Sequence, residues 1–245
     1  MKKKNSKLKE LDSIAKQYHL NKYVKDKYFD DRFHKLFTQW LLKNIKFQTV
    51  LEMGIGEFNI TKELIKKKKI IDIVEGSKKL IEKNKLKYKN KINFHHSLFE
   101  DFVPKKKYDL ILATNILEHV DNPDLVLKLL YKWSGKNTLI AVTVPNCDSI
   151  HRRLAVHMGL QKKRDTLSPR DLLVGHQRVY SHNQINSQLK KNKFMIIKKT
   201  GFFLKILSNS QLLKFDKNLI DALYKISEDL PLELMADMGF IIKKN

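Results

Sequence analysis

The chain has 245 residues, 42% of them hydrophobic, and a formal net charge of +23. That length supports one α/β domain with an ample core and does not require two. No apolar run approaches the roughly 20 residues of a bilayer span, and the basic start MKKKNSKLKE has no hydrophobic segment behind it, so neither a membrane span nor a secretory signal is expected. The single cysteine, Cys147, excludes an internal disulfide framework and makes a reducing compartment, the cytoplasm, the expected location.

In chain order, residues 1–28 read as a lysine-rich helical arm, set apart from a domain over 29–245. Phe33, Leu36, Phe37, Trp40 and Leu41 recur at helical spacing and predict a helix over 32–44 packed on a sheet edge. A hydrophobic strand then runs through an acid into glycines one residue apart, in VLEMGIGEF at 50–58. Gly54 and Gly56 let the backbone turn sharply and approach a ligand where a Cβ would collide. The next strand, Ile70 to Val74, ends in Glu75 about twenty residues beyond the turn, where an acid can accept ribose hydroxyls.

A third strand, Ile92 to Phe94, leads to Leu98, Phe99, Glu100 and Asp101, an apolar and acidic turn suited to flanking an adenine. The fourth, Tyr108 to Ala113, enters Thr114-Asn115-Ile116-Leu117-Glu118-His119-Val120. A dinucleotide dehydrogenase would keep G-x-G-x-x-G, but the third glycine's place holds Asn59. Asp121 or Asn122 caps a helix with Pro123 in its first turn and Val126, Leu129, Leu130 and Trp133 on its buried face, and a fifth strand runs from Thr138 to Val144. The alternation then breaks for a polar, histidine-bearing stretch over about 145–180, expected to cap the substrate. A helix near 183–191, a strand over 194–199, a second insertion over about 202–235 and a last strand over 238–243 complete the pattern. In that second insertion Leu212, Phe215, Leu219, Ile220, Leu223 and Ile226 predict an amphipathic helix.

This series resembles the class I S-adenosylmethionine-dependent methyltransferases, in which an acidic glycine loop, an acid after strand two, an acidic turn after strand three and an L-E-H-V-like segment after strand four occur in this order. The tail segments Val144 to Arg153, Met158-Gly159-Leu160, Gly175 to Tyr180 and Gly201 to Lys205 resemble a bacterial subfamily acting on small molecules. The resemblance implies a Rossmann-like seven-stranded sheet, mostly parallel with an antiparallel last strand, helices on both faces, and S-adenosylmethionine as cofactor. It places Glu52, Gly54 and Gly56 around the methionine portion, Glu75 and Gly76 at the ribose, Leu98, Phe99 and Glu100 around adenine, and Asn115 at the cofactor. One departure is Phe58, where the family's loop usually has its third glycine.

Methyl transfer is an in-line displacement in which the protein chiefly orients, and adds a base when the acceptor is a hydroxyl. His119, just beyond strand four, is one candidate base, with a positioning role as the alternative; His176 is the other, beside Arg178 and Tyr180, with a plain loop histidine as the alternative. Arg178 is expected to hold an anionic group. Asn146 belongs to the same acceptor side, and His151 with Arg152 and Arg153 forms a second polar group suited to a phosphate or carboxylate. No helical H-x-x-x-H and no cysteine partner supports a metal site, and Cys147 lacks an activating arrangement.

The expected activity is methylation, chiefly of oxygen, on a polar or anionic small molecule such as a surface-glycan or secondary-metabolite precursor. RNA or protein methylation through the basic surface and an inactive cofactor-binding module are the alternatives. Six of the 49 basic residues are arginine, the residue that specific phosphate and base recognition favours, so no specific nucleic-acid partner is expected. Four of those six lie within 152–170, a clustering that lysine-rich codon use does not explain. The N/D-P-P-Y/F loop of amino-group nucleic-acid methyltransferases is replaced here by Asn115-Ile116-Leu117-Glu118. The sequence leaves the oligomeric state open.

Overall fold

Short runs rich in Ile, Val and Leu are suited to strands buried on both faces, and here they assemble side by side as such strands. The computed structural model describes residues 7–13, 24–88 and 90–245. The strands are β1 (Thr49–Met53), β2 (Ile70–Glu75), β3 (Ile92–His96), β4 (Leu110–Thr114), β5 (Leu139–Pro145), β6 (Phe194–Phe202) and β7 (Asp237–Lys244). They form one seven-stranded sheet in the order β3-β2-β1-β4-β5-β7-β6. The first five pair in parallel, and β7 inserts antiparallel between β5 and β6. This is the Rossmann-like methyltransferase sheet that the resemblance implies.

The helices are α1 (described over 7–13), α2 (Val24–Asn44), α3 (Asn59–Lys66), α4 (Lys78–Tyr88), α5 (Pro123–Trp133), α6 (Ile150–His157), α7 (Pro169–Leu173), α8 (His182–Lys191), α9 (Asn209–Leu212) and α10 (Lys217–Lys225). One side of the sheet buries Phe33, Phe37 and Leu41 of α2 with Ile60 and Leu64 of α3. The other buries Val126, Leu127, Leu130 and Trp133 of α5 with Ile185 and Leu189 of α8. Each such large side chain removed from water stabilises the fold by about 1.5–3 kcal/mol. A third cluster, Phe29, Phe203, Leu212, Ile220, Leu223 and Tyr224, holds the second insertion against the start of α2.

Several boundaries differ from the sequence expectation. Of the arm expected over 1–28, residues 1–6 and 14–23 lie outside the described residues, and α2 begins at Val24 and runs through the 28/29 boundary, because Phe29 is buried against Phe203. The single amphipathic helix expected over the second insertion is divided: Asp216 accepts from Asn218 N, caps a new helix and ends the turn after α9. Phe215, Leu219 and Ile226 are consequently exposed. At α5 the expected cap is found, since Asn122 Oδ1 accepts from Leu125 N at 3.0 Å ahead of Pro123.

Candidate functional site

The carboxyl ends of β1, β2 and β4 converge where open parallel sheets bind ligands. Gly54 (φ +72°) and Gly56 (φ +49°) turn the chain out of β1, and the space where a Gly56 Cβ would stand is clear of other atoms to 4 Å. Phe58, in the place of the third glycine, also takes a left-handed conformation at φ 63°. That conformation is unfavourable for a residue with a Cβ by roughly 1–2 kcal/mol. Its ring is 3% exposed and lies 4.7 Å from that of Tyr88, so burial offsets the strain and the turn keeps a glycine-like course.

Two acids frame this turn differently. The carboxyl of Glu52 is covered by α3, where Thr61 Oγ1 donates to Oε2 at 2.6 Å, and burial pushes it up to about 8. Glu52 therefore shapes the loop from behind. Glu75, at the end of β2, accepts from Ile55 N at 2.8 Å and Ser77 N at 2.6 Å, one on each oxygen, and burial raises its carboxyl above the usual range. Each oxygen keeps a second lone pair, which suits a pair of ribose hydroxyls.

Helix α1 closes over this end of the site. A Cβ on Gly76 would collide with Leu11 and stand 3.6 Å from Leu98 and 3.7 Å from Leu8, so apolar side chains pack closely on the backbone beyond Glu75. Asp12 accepts from Ser77 Oγ at 2.6 Å, and Lys7 pairs with Asp121 at 3.1 Å and approaches Glu100 at 3.9 Å. Phe99 packs against the core under the same turn. The glycine turn, the Glu75 carboxyl and the apolar side chains beside Gly76 thus lie together at the carboxyl ends of β1 and β2.

Beyond β4, Asn115 takes φ 52°, a conformation that asparagine tolerates better than most residues. Its N–H and side chain are both tied to Thr143 of β5. The following turn carries Glu118 and His119, and the first insertion returns to it. Gln177 N donates to Glu118 O, and Gln177 Nε2 donates to His119 O and Asp121 Oδ1. These ties set His176 against His119, with ring centroids 4.7 Å apart at 75°. Glu118 is fully buried, and among the described residues no hydrogen bond reaches either of its carboxylate oxygens. Burial lifts Glu118 to about 7, against the opposing pull of His176, and burial lowers His119 to about 4, keeping its imidazole neutral. On the far side, His176 Nδ1 lies 2.9 Å from Asp171 Oδ1, and Asp171 Oδ2 accepts from Arg152 at 2.8 Å and from Ser168. Burial alone would raise Asp171; His176, Arg152 and Ser168 together hold it below the usual carboxylate range.

Most residues expected to bind acceptor are engaged elsewhere. Arg178 donates to the carbonyls of Leu117 and Val120, and more distantly to Asp121 O, so its guanidinium clamps the L-E-H-V turn. Asn146 donates to Glu233 O and Met235 O and accepts from Asp148 N, and Tyr180 OH reaches Leu117 O at 3.4 Å. Arg152 is buried on Asp171 and two carbonyls. Arg153 caps Asp148 O, Arg164 pairs with Asp148 and Arg170 with Asp30, so the clustered arginines are internal ties. Of the acceptor-side set, His151 keeps a buried ring nitrogen, Nδ1, without a hydrogen bond.

Sequence reading overlooked three acids of this region. Glu118 stood inside the quoted L-E-H segment, and Asp171 sits three residues after Ser168 in a capping box, a local signal that was available. Asp237, half-buried at the start of β7 with desolvation raising its carboxyl to about 7, has no sequence signal at all.

A glycine turn at the end of β1 with a buried acid at the end of β2 is the arrangement that the resemblance to S-adenosylmethionine-dependent methyltransferases implies. The chain belongs to the family described as "Methyltransferase domain", whose family model matches residues 20–199. It is 32% identical over 108 residues to the ubiquinone biosynthesis O-methyltransferase of Pelagibacter ubique (strain HTCC1062), a match covering 43% of this chain and 44% of that relative. The fold is similar to a possible histamine N-methyltransferase from Thermotoga maritima (TM-score 0.63, 17% identity, 96% of this chain and 100% of that one). It is also similar to the N-methyltransferase NodS from Bradyrhizobium japonicum WM9 in complex with S-adenosylhomocysteine (TM-score 0.60, 10% identity, 95% and 96%).

Proposed function

We propose that this chain transfers a methyl group to an oxygen of a small polar or anionic acceptor, of the kind met in surface-glycan or secondary-metabolite precursors, at the place where His119 and His176 meet. The observation that carries this reading is their convergence: two imidazoles from segments 57 residues apart lie 4.7 Å apart beside a buried carboxyl, within the region capped by the first insertion. The O-methyltransferase named among the relatives supports oxygen as the target.

The cofactor supplies an electrophilic methyl group whose departure leaves a neutral thioether. The chain's own residues do the rest. Glu75 accepts ribose hydroxyls, the glycine turn lets the backbone approach the methionine portion, and Leu11 and Leu98 exclude water near Gly76. An imidazole of the pair takes the acceptor hydroxyl's proton as the oxygen becomes nucleophilic, and Arg178 and Gln177 hold the turn that positions it. Internal pairing of the clustered arginines favours a small molecule over RNA as acceptor.

Calorimetry with S-adenosylhomocysteine tests the cofactor end. Glu75→Ala should weaken binding about 10- to 100-fold, the loss of charged hydrogen bonds, while leaving the protein folded. Unchanged affinity in the folded variant, or no binding by the unmodified chain, would sink the assignment. Labelled methyl transfer into cell metabolites, followed by identification of the product, tests the acceptor class; a product methylated on nitrogen or on RNA would reject it.

A further inference from the structure

We propose that Glu118, His119 and His176 bind a divalent transition-metal cation of the zinc type, leaving a position open for an acceptor oxygen. Each residue offers one ligand atom, and the three atoms lie within 4.8 Å of one another. A tetrahedral zinc site with bonds of about 2.0–2.2 Å spaces its ligands by roughly 3.4 Å, so side-chain adjustments on the order of 1 Å would close the cluster on a cation.

A second observation points the same way. Glu118 is fully buried, and among the described residues neither of its buried carboxylate oxygens has a hydrogen-bond partner. Asn115 approaches it without completing a hydrogen bond. Buried polar groups are ordinarily satisfied, and a carboxylate left bare is unfavourable unless something of opposite charge meets it. Arg178 does not, since its guanidinium is engaged by backbone carbonyls. Arg152 is already matched to Asp171.

The surroundings of His176 resemble those that orient a metal ligand. A ligating imidazole usually gives its other N–H to a carboxylate or carbonyl, which fixes the tautomer and raises basicity at the ligating nitrogen. His176 has this arrangement, with Nδ1 at 2.9 Å from Asp171, itself fixed by Arg152 and the Ser168 capping box. With Nδ1 turned to Asp171, Nε2 is the His176 nitrogen left for a cation. Two imidazole nitrogens and one carboxylate oxygen suit zinc, cobalt, manganese or iron(II) better than magnesium or calcium, which prefer all-oxygen shells. Three protein ligands and one open position is also the pattern of catalytic zinc sites. The ligands stand 57 residues apart, which is why a search for close histidine spacing does not find them.

This deepens the proposed function, because a cation there would bind the acceptor oxygen directly and make the histidines ligands in place of bases. The cation site itself is testable without an acceptor. The full chain, stripped with a chelator, is titrated with Co2+ and then Zn2+ while visible absorption is recorded, and the same samples are titrated with S-adenosylhomocysteine. One equivalent of Co2+ should bind with the intense visible bands of a four-coordinate site and be displaced by Zn2+. His176→Ala and Glu118→Gln should each weaken Co2+ binding at least 100-fold. Asp171→Asn, which removes only the orienting carboxylate, should weaken it about 10- to 100-fold. His157→Ala, at an exposed position, should change nothing.

Absence of a band with no binding tighter than millimolar would overturn the site. So would Co2+ binding that survives both His176→Ala and Glu118→Gln in folded protein, which would mark an ion held by surface histidines. Should Glu118→Gln fail to fold, X-ray absorption of the unmodified chain's zinc complex decides the matter. Two imidazole nitrogens and a carboxylate oxygen uphold the proposal, and an all-oxygen shell overturns it. A chain that binds S-adenosylhomocysteine and no Co2+ loses the cation site and keeps the methyltransferase reading; one that binds Co2+ and no S-adenosylhomocysteine does the reverse.

Discussion

A carboxyl group buried beside a second acid is neutralised more readily than it is solvated, and the pair behind the glycine turn shows this. Burial raises Glu52 to about 8 from an ordinary value near 4.5, with Glu75 adding to the shift. A group whose folded pKa lies above its unfolded one contributes stability that is fully present below the unfolded value and is lost as pH rises through the folded value. Glu52 should therefore favour the fold below about pH 4.5 and cease to do so by about pH 8. Glutamine can still accept from Thr61 but cannot ionise, so the Glu52→Gln variant should gain stability relative to the unmodified chain across that window, by up to a few kcal/mol. Urea unfolding at pH 5.5 and pH 8.5 measures the difference. A gap between the two proteins that does not change with pH would show that Glu52 does not titrate there. In sequence this acid was legible as part of the nucleotide-binding turn, but its burial under α3 was not, because a strand-end acid reads alike whether it faces ligand or helix.

At the scale of elements, the sheet was legible and the cap was not. Strands such as Ile70–Glu75 and Leu139–Pro145 announce themselves by short runs rich in Ile, Val and Leu, and Asn122 with Pro123 marks the start of α5 by local chemistry. The first insertion is organised by backbone carbonyls reached across long separations, as when Arg178 clamps Leu117 and Val120, and such contacts leave no period in the sequence. Asn146 shows how much one side chain can organise. Its amide joins the end of β5 to the 233–235 segment before β7 through two carbonyls, while its oxygen holds Asp148 N at the entry to α6. Asn146→Ala would leave buried backbone groups unsatisfied, each unfavourable by about 1–3 kcal/mol, and should destabilise the chain by about 2–4 kcal/mol in denaturant unfolding. Affinity for S-adenosylhomocysteine should be nearly unchanged, since the residue touches neither the glycine turn nor Glu75. A variant as stable as the parent would mean that water replaces the lost amide and that the cap does not depend on it.

Over the whole molecule, the charge of +23 is large enough to attract any polyanion, yet its composition separates attraction from recognition. Arginines 32, 152, 164 and 170 pair with acids of this chain, and 153 and 178 donate to its backbone, which leaves lysine to set the character of the basic surface. Lysine ammonium groups neutralise phosphates and release counterions without reading base edges, so binding should depend steeply on salt and little on sequence. Fluorescence anisotropy with a labelled RNA and its scrambled counterpart should give equal affinities at low salt. Both should fall together by about three orders of magnitude or more between 50 and 200 mM salt if six or more phosphates are contacted. Binding of S-adenosylhomocysteine should change far less over that range, because the site proposed for it, at the glycine turn and the buried Glu75, is set apart from the lysine surface. One RNA that keeps its affinity at 200 mM salt while its scrambled form does not would show a built recognition surface, and would move the acceptor from a small molecule to a nucleic acid.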